Sequence, residues 1–324
     1  MPREVSIELT NHCNLACVMC PHGTMQRGKG FMEQALFERI IDQCRGQVEL
    51  VYLYGTGESL LDNRLPGCIR YAKERGLATD LSTNGTLLNE AWARELLTSG
   101  LDFLTVCLDG GDKETYESIR IKGNFTVLVA NIRTLLRVWR EVSSRTRIII
   151  QMIVMDRNLN EVEGFRNLFT SEERNAVFQF RIKPFYDTYR IPKEQIGTTP
   201  ACFLPWNQMS ILWNGDVALC CFDANGKVPL GNVWEQPLRD IWNGTVVQRI
   251  RHRQRTGQVH DLPLCSSCGV PRQGYFNPIL LFGSAFFRTS RIRILIPYYE
   301  QHVLDPARKL LGARTAKVSN DRSV

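Results

Sequence analysis

Three cysteines within eight residues, Cys13, Cys17 and Cys20, constrain this chain more than any other feature. They lie in the run Cys13-Asn14-Leu15-Ala16-Cys17-Val18-Met19-Cys20, just after a short apolar strand pattern at Val5–Leu9. No further cysteine occurs before Cys44. Three thiolates so close can hold three corners of a cubane iron–sulfur cluster, because thiolates are the ligands such clusters take. The missing fourth ligand leaves one iron open to another molecule. Offsets of four and seven also share one face of a helix, so a helix with a cysteine stripe is the competing reading. Asn14 and the Cys20-Pro21 step favour a loop, since proline disfavours helix in the residue before it.

From Val5 to about Pro184 the sequence alternates β-branched apolar runs with helical patterns. Strands are expected at Val5–Leu9, Val48–Tyr54, Leu77–Ser82, Phe103–Leu108, Arg147–Met155 and Phe178–Lys183. Helices are expected at Glu33–Gln43, Leu65–Arg75, Glu90–Thr98, Phe125–Val142 and Glu161–Phe169. Such alternation predicts an α/β fold with a parallel sheet and crossover helices. Six units fit either a partial barrel or an open doubly wound sheet.

The 324 residues suffice for one large domain or two modest ones. Met1-Pro2-Arg3-Glu4 runs straight into the first strand, so no signal peptide is expected. Eleven cysteines in an unexported chain argue for metal or redox chemistry rather than a disulfide scaffold, and hence for a reducing cytoplasm. No apolar window is long enough for a transmembrane segment. A net charge of +7, scattered along the chain, suits an anionic ligand or an acidic redox partner and is too weak to indicate nucleic acid.

The loops after the expected strands carry further motifs. Gly55-Thr56-Gly57-Glu58 follows the second strand, and Ser82-Thr83-Asn84-Gly85 follows the third. In the fourth, alternation puts Thr105, Cys107 and Asp109 on one face and Leu104, Val106 and Leu108 on the other. With the CxxxCxxC loop, these motifs resemble those of the radical S-adenosylmethionine (radical SAM) superfamily. The resemblance implies a partial (β/α)6 TIM-like barrel, with the site at the C-terminal ends of the strands. It implies that Cys13, Cys17 and Cys20 hold a [4Fe–4S] cluster whose open iron binds SAM. Met19 then matches a position that covers the adenine, the bland alternative being a core methionine. Thr56, Gly57 and Glu58 match the motif that receives the amino group of SAM. Ser82, Asn84 and Asp109 are further candidate SAM-pocket residues. Cys107 stands where related enzymes usually have a serine near the ribose; it is either a small buried residue or a hydrogen-atom donor. Arg120 and Asn124 are candidates to reach the pocket, exposure being the alternative.

Past Pro184 the pattern changes. Residues 186–201 are polar and read as a linker. Cys202, Gly215 and Cys220 then form C-x12-G-x4-C, and Cys265 and Cys268 form a CxxC. This resembles the auxiliary-cluster modules called SPASM and, when shortened, Twitch. Leu230–Val233 and Leu238–Trp242 match that module's strand and short helix. No cysteine follows Cys268, so a second [4Fe–4S] cluster held by four thiolates is expected, with structural zinc as the alternative. Cys221 is left over beside Cys220. The expected organisation is a barrel at 1–185, the linker, an auxiliary domain at 202–276 and an extension at 277–324. In that extension, Arg288, Arg291 and Arg293 interleave with apolar residues, a pattern suited to covering the barrel edge, a partner or a membrane surface.

The resemblance implies an oxidoreductase in which a 5′-deoxyadenosyl radical takes hydrogen from a C–H bond and the auxiliary cluster accepts an electron. It also implies an external one-electron reductant such as flavodoxin or ferredoxin. Only twelve residues precede Cys13, so no N-terminal peptide-recognition domain is expected. The favoured substrate class is therefore a hydroxylated small molecule: a sugar, aminocyclitol or aminoglycoside. The alternatives are an epimerase using Cys107 or Cys221 as hydrogen donor, a peptide or protein maturase, and a non-enzymatic electron carrier.

Overall fold

The computed structural model describes residues 1–162, 164–185 and 202–268. Strands β1 (Glu4–Ile7), β2 (Leu50–Tyr52), β3 (Ala78–Thr83), β4 (Phe103–Cys107), β5 (Arg147–Val154) and β6 (Gln179–Pro184) are all parallel and lie side by side in sequence order. The crossovers carry α1 (Gln34–Cys44), α2 (Leu65–Glu74), α3 (Glu90–Thr98), α4 (Lys113–Ile119), α5 (Phe125–Glu141) and α6 (Ser171–Ala176). This is the partial-barrel alternative: the strand order never reverses, as it would in a doubly wound sheet.

Alternation along the strands separates two faces. Val5, Ile7, Val51, Leu81, Leu104 and Ile150 point outward into a buried core with α1, α2, α3 and α5. The opposite, inner face carries Glu4, Ser6, Tyr52, Asp80, Ser82, Thr105, Cys107 and Gln151, interspersed with Leu50, Ala78, Phe103 and Ile149. An inner face with this many polar groups marks a lumen rather than a second core.

Two expectations need correction. No α-helix runs from Glu161 to Phe169: two 3-10 turns, Leu159–Glu161 and Phe165–Leu168, occupy that stretch, and α6 begins later. The start is set by Thr170 and Glu173, whose side chains and backbone N–H groups form a reciprocal capping box. Helix α4 was not expected; it is started by Asp112, whose carboxylate accepts from Thr115 N at 2.9 Å. The linker at 186–201, the extension at 277–324 and the end of the auxiliary segment lie outside the described residues.

The C-terminal part is continuous with the barrel sheet. Strand β7 (Gln208–Ile211) pairs in parallel with β1, and β8 (Asp216–Ala218) and β9 (Pro229–Asn232) follow antiparallel. Short helices α7 (Leu204–Asn207) and α8 (Leu238–Asn243) and the longer α9 (Thr245–Thr256) accompany them. Leu219, Ile250 and Leu262 form a small apolar cluster of their own.

The seam is tied by a buried carboxylate. Glu8, 2% exposed, accepts from Arg27 Nη2 at 2.5 Å, from Thr56 N at 3.2 Å and from Trp213 N at 3.3 Å. Arg27 also donates to Ala224 O at 2.6 Å, and Trp213 Nε1 donates to Gly28 O at 3.1 Å. Removing one partner of a buried ion pair strands the other charge. We expect Glu8→Ala to lower unfolding stability by about 3–5 kcal/mol, measured by denaturant titration at matched iron content. A loss below about 1 kcal/mol, the range of exposed pairs, would show that the seam does not depend on this carboxylate.

Candidate active site

The cysteine loop leaves the C-terminal end of β1 and is held by its neighbours. Ala16 N donates to Ile121 O and Val18 N to Ile119 O, both at 3.0 Å. Residues 13–19 are not helical, as Asn14 and Pro21 imply; a 3-10 turn starts at Pro21. Cys13, Cys17 and Cys20 are all partly exposed. Burial pushes the Cys13 thiol up to about 11, with Glu58, Cys17 and Cys20 adding to the shift, and burial raises Cys20 as well. Among the described residues no three His, Cys, Asp or Glu side chains converge as ligands of a single ion would. An all-thiol set on one loop, costly to ionise until positive irons arrive, instead fits a cluster, which distributes its thiolates over separate irons. Cys13, Cys17 and Cys20 are the residues that would hold it.

The loop after β2 docks on this one. Glu58 N donates to His12 O at 2.8 Å. A Cβ on Gly57 would lie 2.2 Å from Thr10 O, so only glycine allows this approach. Glu58 is buried, and its carboxylate accepts from Leu60 N, Thr83 Oγ1 and Asn84 N. Desolvation raises its pKa against the pull of those donors. Thr56 is tied to Glu8, and Asn84 donates to Asn14 Oδ1 at 2.9 Å while accepting from Thr86. Glu58 and Asn84 thus join the second and third loops to the cysteine loop. Gly85, at φ +73°, makes the turn that Asn84 begins. Met19 is half-buried.

On the inner face, Cys107 is 8% exposed, with Ser82 Oγ at 3.6 Å and Gln151 Nε2 at 3.9 Å. Burial raises its thiol pKa, which keeps the S–H form. Asp109 is fully buried: its Oδ2 accepts from Arg120 at 2.6–2.7 Å and its Oδ1 from Ile153 N at 2.7 Å. Arg120 Nη1 reaches Cys17 Sγ at 3.5 Å. Exposure, the alternative for Arg120, is therefore corrected: Asp109 draws its guanidinium inward beside a thiol of the cysteine loop. Asn124 does not point to this site; it caps α5, accepting from Val127 N at 3.0 Å.

At the second set, Cys202, Cys220, Cys265 and Cys268 lie close enough to disfavour one another's ionisation. Burial pushes Cys202 and Cys265 up to about 12 and also raises Cys220 well above its ordinary value. Gln254 of α9, which the sequence pattern does not single out, accepts from Cys202 N at 3.1 Å and donates to Cys265 Sγ at 3.4 Å. The buried Asp223 accepts from Lys227 N and Val228 N, closing the loop after Cys220. Cys221 is exposed and close enough to Lys183, Cys268 and Glu4 to feel their charges.

Replacing Arg120 tests the first of these arrangements. We expect Arg120→Gln to cost about 3–5 kcal/mol of stability, because Asp109 keeps a buried charge without its partner. The double variant Arg120→Gln/Asp109→Asn is expected to recover most of that loss in the same denaturant titration. An unrecovered loss would contradict the pairing.

Comparison with known proteins places the geometry. The radical SAM superfamily model matches residues 7–169, half of the chain, and the SPASM iron–sulfur cluster-binding domain model matches 202–269. The chain is similar to the tungsten-containing aldehyde ferredoxin oxidoreductase cofactor-modifying protein of Pyrococcus furiosus, 24% identical over 82% of this chain and 86% of that one. It is also similar to the AdoMet-dependent heme synthase of Methanosarcina barkeri, 26% identical over 82% and 91% of the two chains. Among solved structures, BtrN in complex with AdoMet and 2-DOIA shares the fold at TM-score 0.53 and 18% identity, over 83% of this chain and 93% of BtrN. Members bind SAM and a [4Fe–4S] cluster through the first domain and auxiliary iron–sulfur clusters through the second. The chain belongs to the radical SAM superfamily and carries a SPASM domain.

Proposed function

We propose that this protein is a radical SAM oxidoreductase that dehydrogenates a hydroxylated small molecule, a sugar, aminocyclitol or aminoglycoside. The observation that carries this reading is the pairing of two thiol sets with different valency on one sheet. Cys13, Cys17 and Cys20 leave an iron open, whereas Cys202, Cys220, Cys265 and Cys268 would saturate a second cluster. When loaded, the first set with SAM supplies a 5′-deoxyadenosyl radical and the second supplies an electron acceptor.

The chain's own residues position and shield. Thr56, Gly57 and Glu58 would shape the end of the site that receives the SAM amino group, with Ser82, Asn84 and Met19 lining the rest. Arg120, held by Asp109 beside Cys17, would set a guanidinium against the cysteine loop and help to hold an anionic group there. Cys107, on the inner face beside Ser82, keeps its proton and stands as the hydrogen donor of an epimerase, the second reading. A saturated auxiliary set favours the dehydrogenase, because an epimerase does not need a permanent electron acceptor.

Isotope labelling separates the two. The reconstituted, reduced enzyme is incubated with SAM and a two-ring amino sugar, paromamine, deuterated at its carbinol carbons. A dehydrogenase transfers deuterium into 5′-deoxyadenosine and yields a ketone lighter than the alcohol by the two lost hydrogens. An epimer that carries one hydrogen from the medium, with activity lost in Cys107→Ser, would overturn the dehydrogenase reading.

A further inference from the structure

The inner face of the sheet carries a polar row that no motif above includes. Register links Asp80 to Tyr52, Tyr52 to Ser6 and Ser6 to Ser210, so these four side chains cross β3, β2, β1 and β7 at one level. Their chain neighbours Thr79, Val51, Val5 and Met209 are buried on the outer face. At about 4.8 Å between neighbouring strands, the row runs about 14 Å along the sheet.

Among the described residues, both ends of the row lack a hydrogen-bond partner. Among the described residues, four buried side-chain polar atoms lack a hydrogen-bond partner: Asp80 Oδ1, Ser210 Oγ, Arg27 Nη1 and Tyr116 Oη. Two of the four thus terminate this single row. The middle is engaged: Ser6 Oγ donates to Tyr54 O at 3.0 Å and Tyr52 Oη donates to Glu4 Oε2 at 3.2 Å. Buried polar atoms without partners cost stability, so the two ends of the row favour a hydrogen-bonding partner in the lumen.

We propose that the Asp80–Ser210 row is a binding floor for the hydroxyl groups of a two-ring polyol, with Asp80 accepting from one ring and Ser210 bonding the other. The proposal rests on the oxidoreductase reading and extends it by naming where the substrate lies and what chemistry holds it. A single six-membered ring is too short to meet both ends, whereas two joined rings span most of the row. The charged groups around Asp80 are Arg181 and Lys183 of β6, Glu4 of β1 and Asp102 before β4. Burial pushes the Asp80 carboxyl up to about 7; Arg181 and Lys183 oppose the shift and Glu4 and Asp102 reinforce it. A carboxyl balanced in this way can accept from a hydroxyl when ionised and can hold that hydroxyl's proton afterwards, without fixing a full charge in the lumen.

The test reads binding, without turnover. The full-length protein with clusters reconstituted and SAM bound, but no reductant, is titrated calorimetrically with paromamine and with trehalose. Binding of either is expected, weakened at least tenfold by Asp80→Asn and several-fold by Ser210→Ala, and unchanged by the exposed control Glu74→Gln. Paromamine alone would identify amino sugars; trehalose alone, or both equally, would identify neutral hydroxyls. Matching iron content and circular dichroism of the variants exclude a folding defect. The proposal is overturned if neither sugar binds, or if binding is indifferent to both substitutions. It is also overturned if coproporphyrin III binds instead and is lost in Arg181→Gln, since carboxylates would then be held by the cations of β6. Because no SAM is consumed, a failure here leaves the oxidoreductase reading standing, and a failure to cleave SAM leaves this result standing.

Discussion

One buried carboxylate holds the working parts of this molecule in register. Glu8 stands where β1 ends and the cysteine loop begins, and its two oxygens take donors from that loop, from the loop after β2 and from the turn after β7. Each of those segments leads directly to a cofactor feature: Arg27 to the cysteine loop, Thr56 to the Gly57-Glu58 turn, Trp213 to the segment that ends in Cys220. A carboxylate serves here because its two oxygens accept several donors at once, and because Arg27 supplies the charge that makes its burial tolerable. Both thiol sets are therefore tied to one sheet, but toward opposite ends of its strands: the cysteine loop leaves the C-terminal end of β1, whereas Cys220 follows β8, which runs antiparallel to β7.

The division of the sheet into two faces follows from the same economy. Outward residues are aliphatic and fill the space under the helices. Inward residues carry carboxylates, hydroxyls, a thiol and amides, each of which needs a partner. At the upper level, Asp109, Arg120, Glu58 and Asn84 satisfy one another and shape the loops. Lower down, Asp80 and Ser210 do not find protein partners among the described residues. The upper level thus fixes the loops that would receive SAM, and in our proposal the lower level is where the substrate enters.

Much of this was legible in the sequence. The cysteine spacings, the glycine turns and the alternation of β-branched and amphipathic runs state the parallel sheet and its loops, because those patterns obey local periodicities. The polar side of β4 was equally readable from alternation at Thr105, Cys107 and Asp109. What escaped was long-range. Glu8, Arg27 and Gln254 belong to no motif, and their roles arise from partners distant in the chain. The extension of the barrel sheet by β7 is of this kind, since nothing local to Gln208–Ile211 says that β1 has a free edge. The start of α6 is different: Thr170 and Glu173 form a capping box three residues apart, a local signal that outweighs the apolar spacing upstream.

The central claim is that one chain holds two iron–sulfur clusters with unequal ligand sets. Iron and sulfide are counted in the anaerobically reconstituted protein, in the Cys13→Ala/Cys17→Ala/Cys20→Ala variant, and by Mössbauer spectroscopy in both. The account predicts about eight irons falling to about four, each as a [4Fe–4S] cluster, with the four remaining irons unaffected by SAM. About four irons falling to none, with zinc bound by Cys202, Cys220, Cys265 and Cys268, would contradict it and remove the electron acceptor on which the dehydrogenase reading depends.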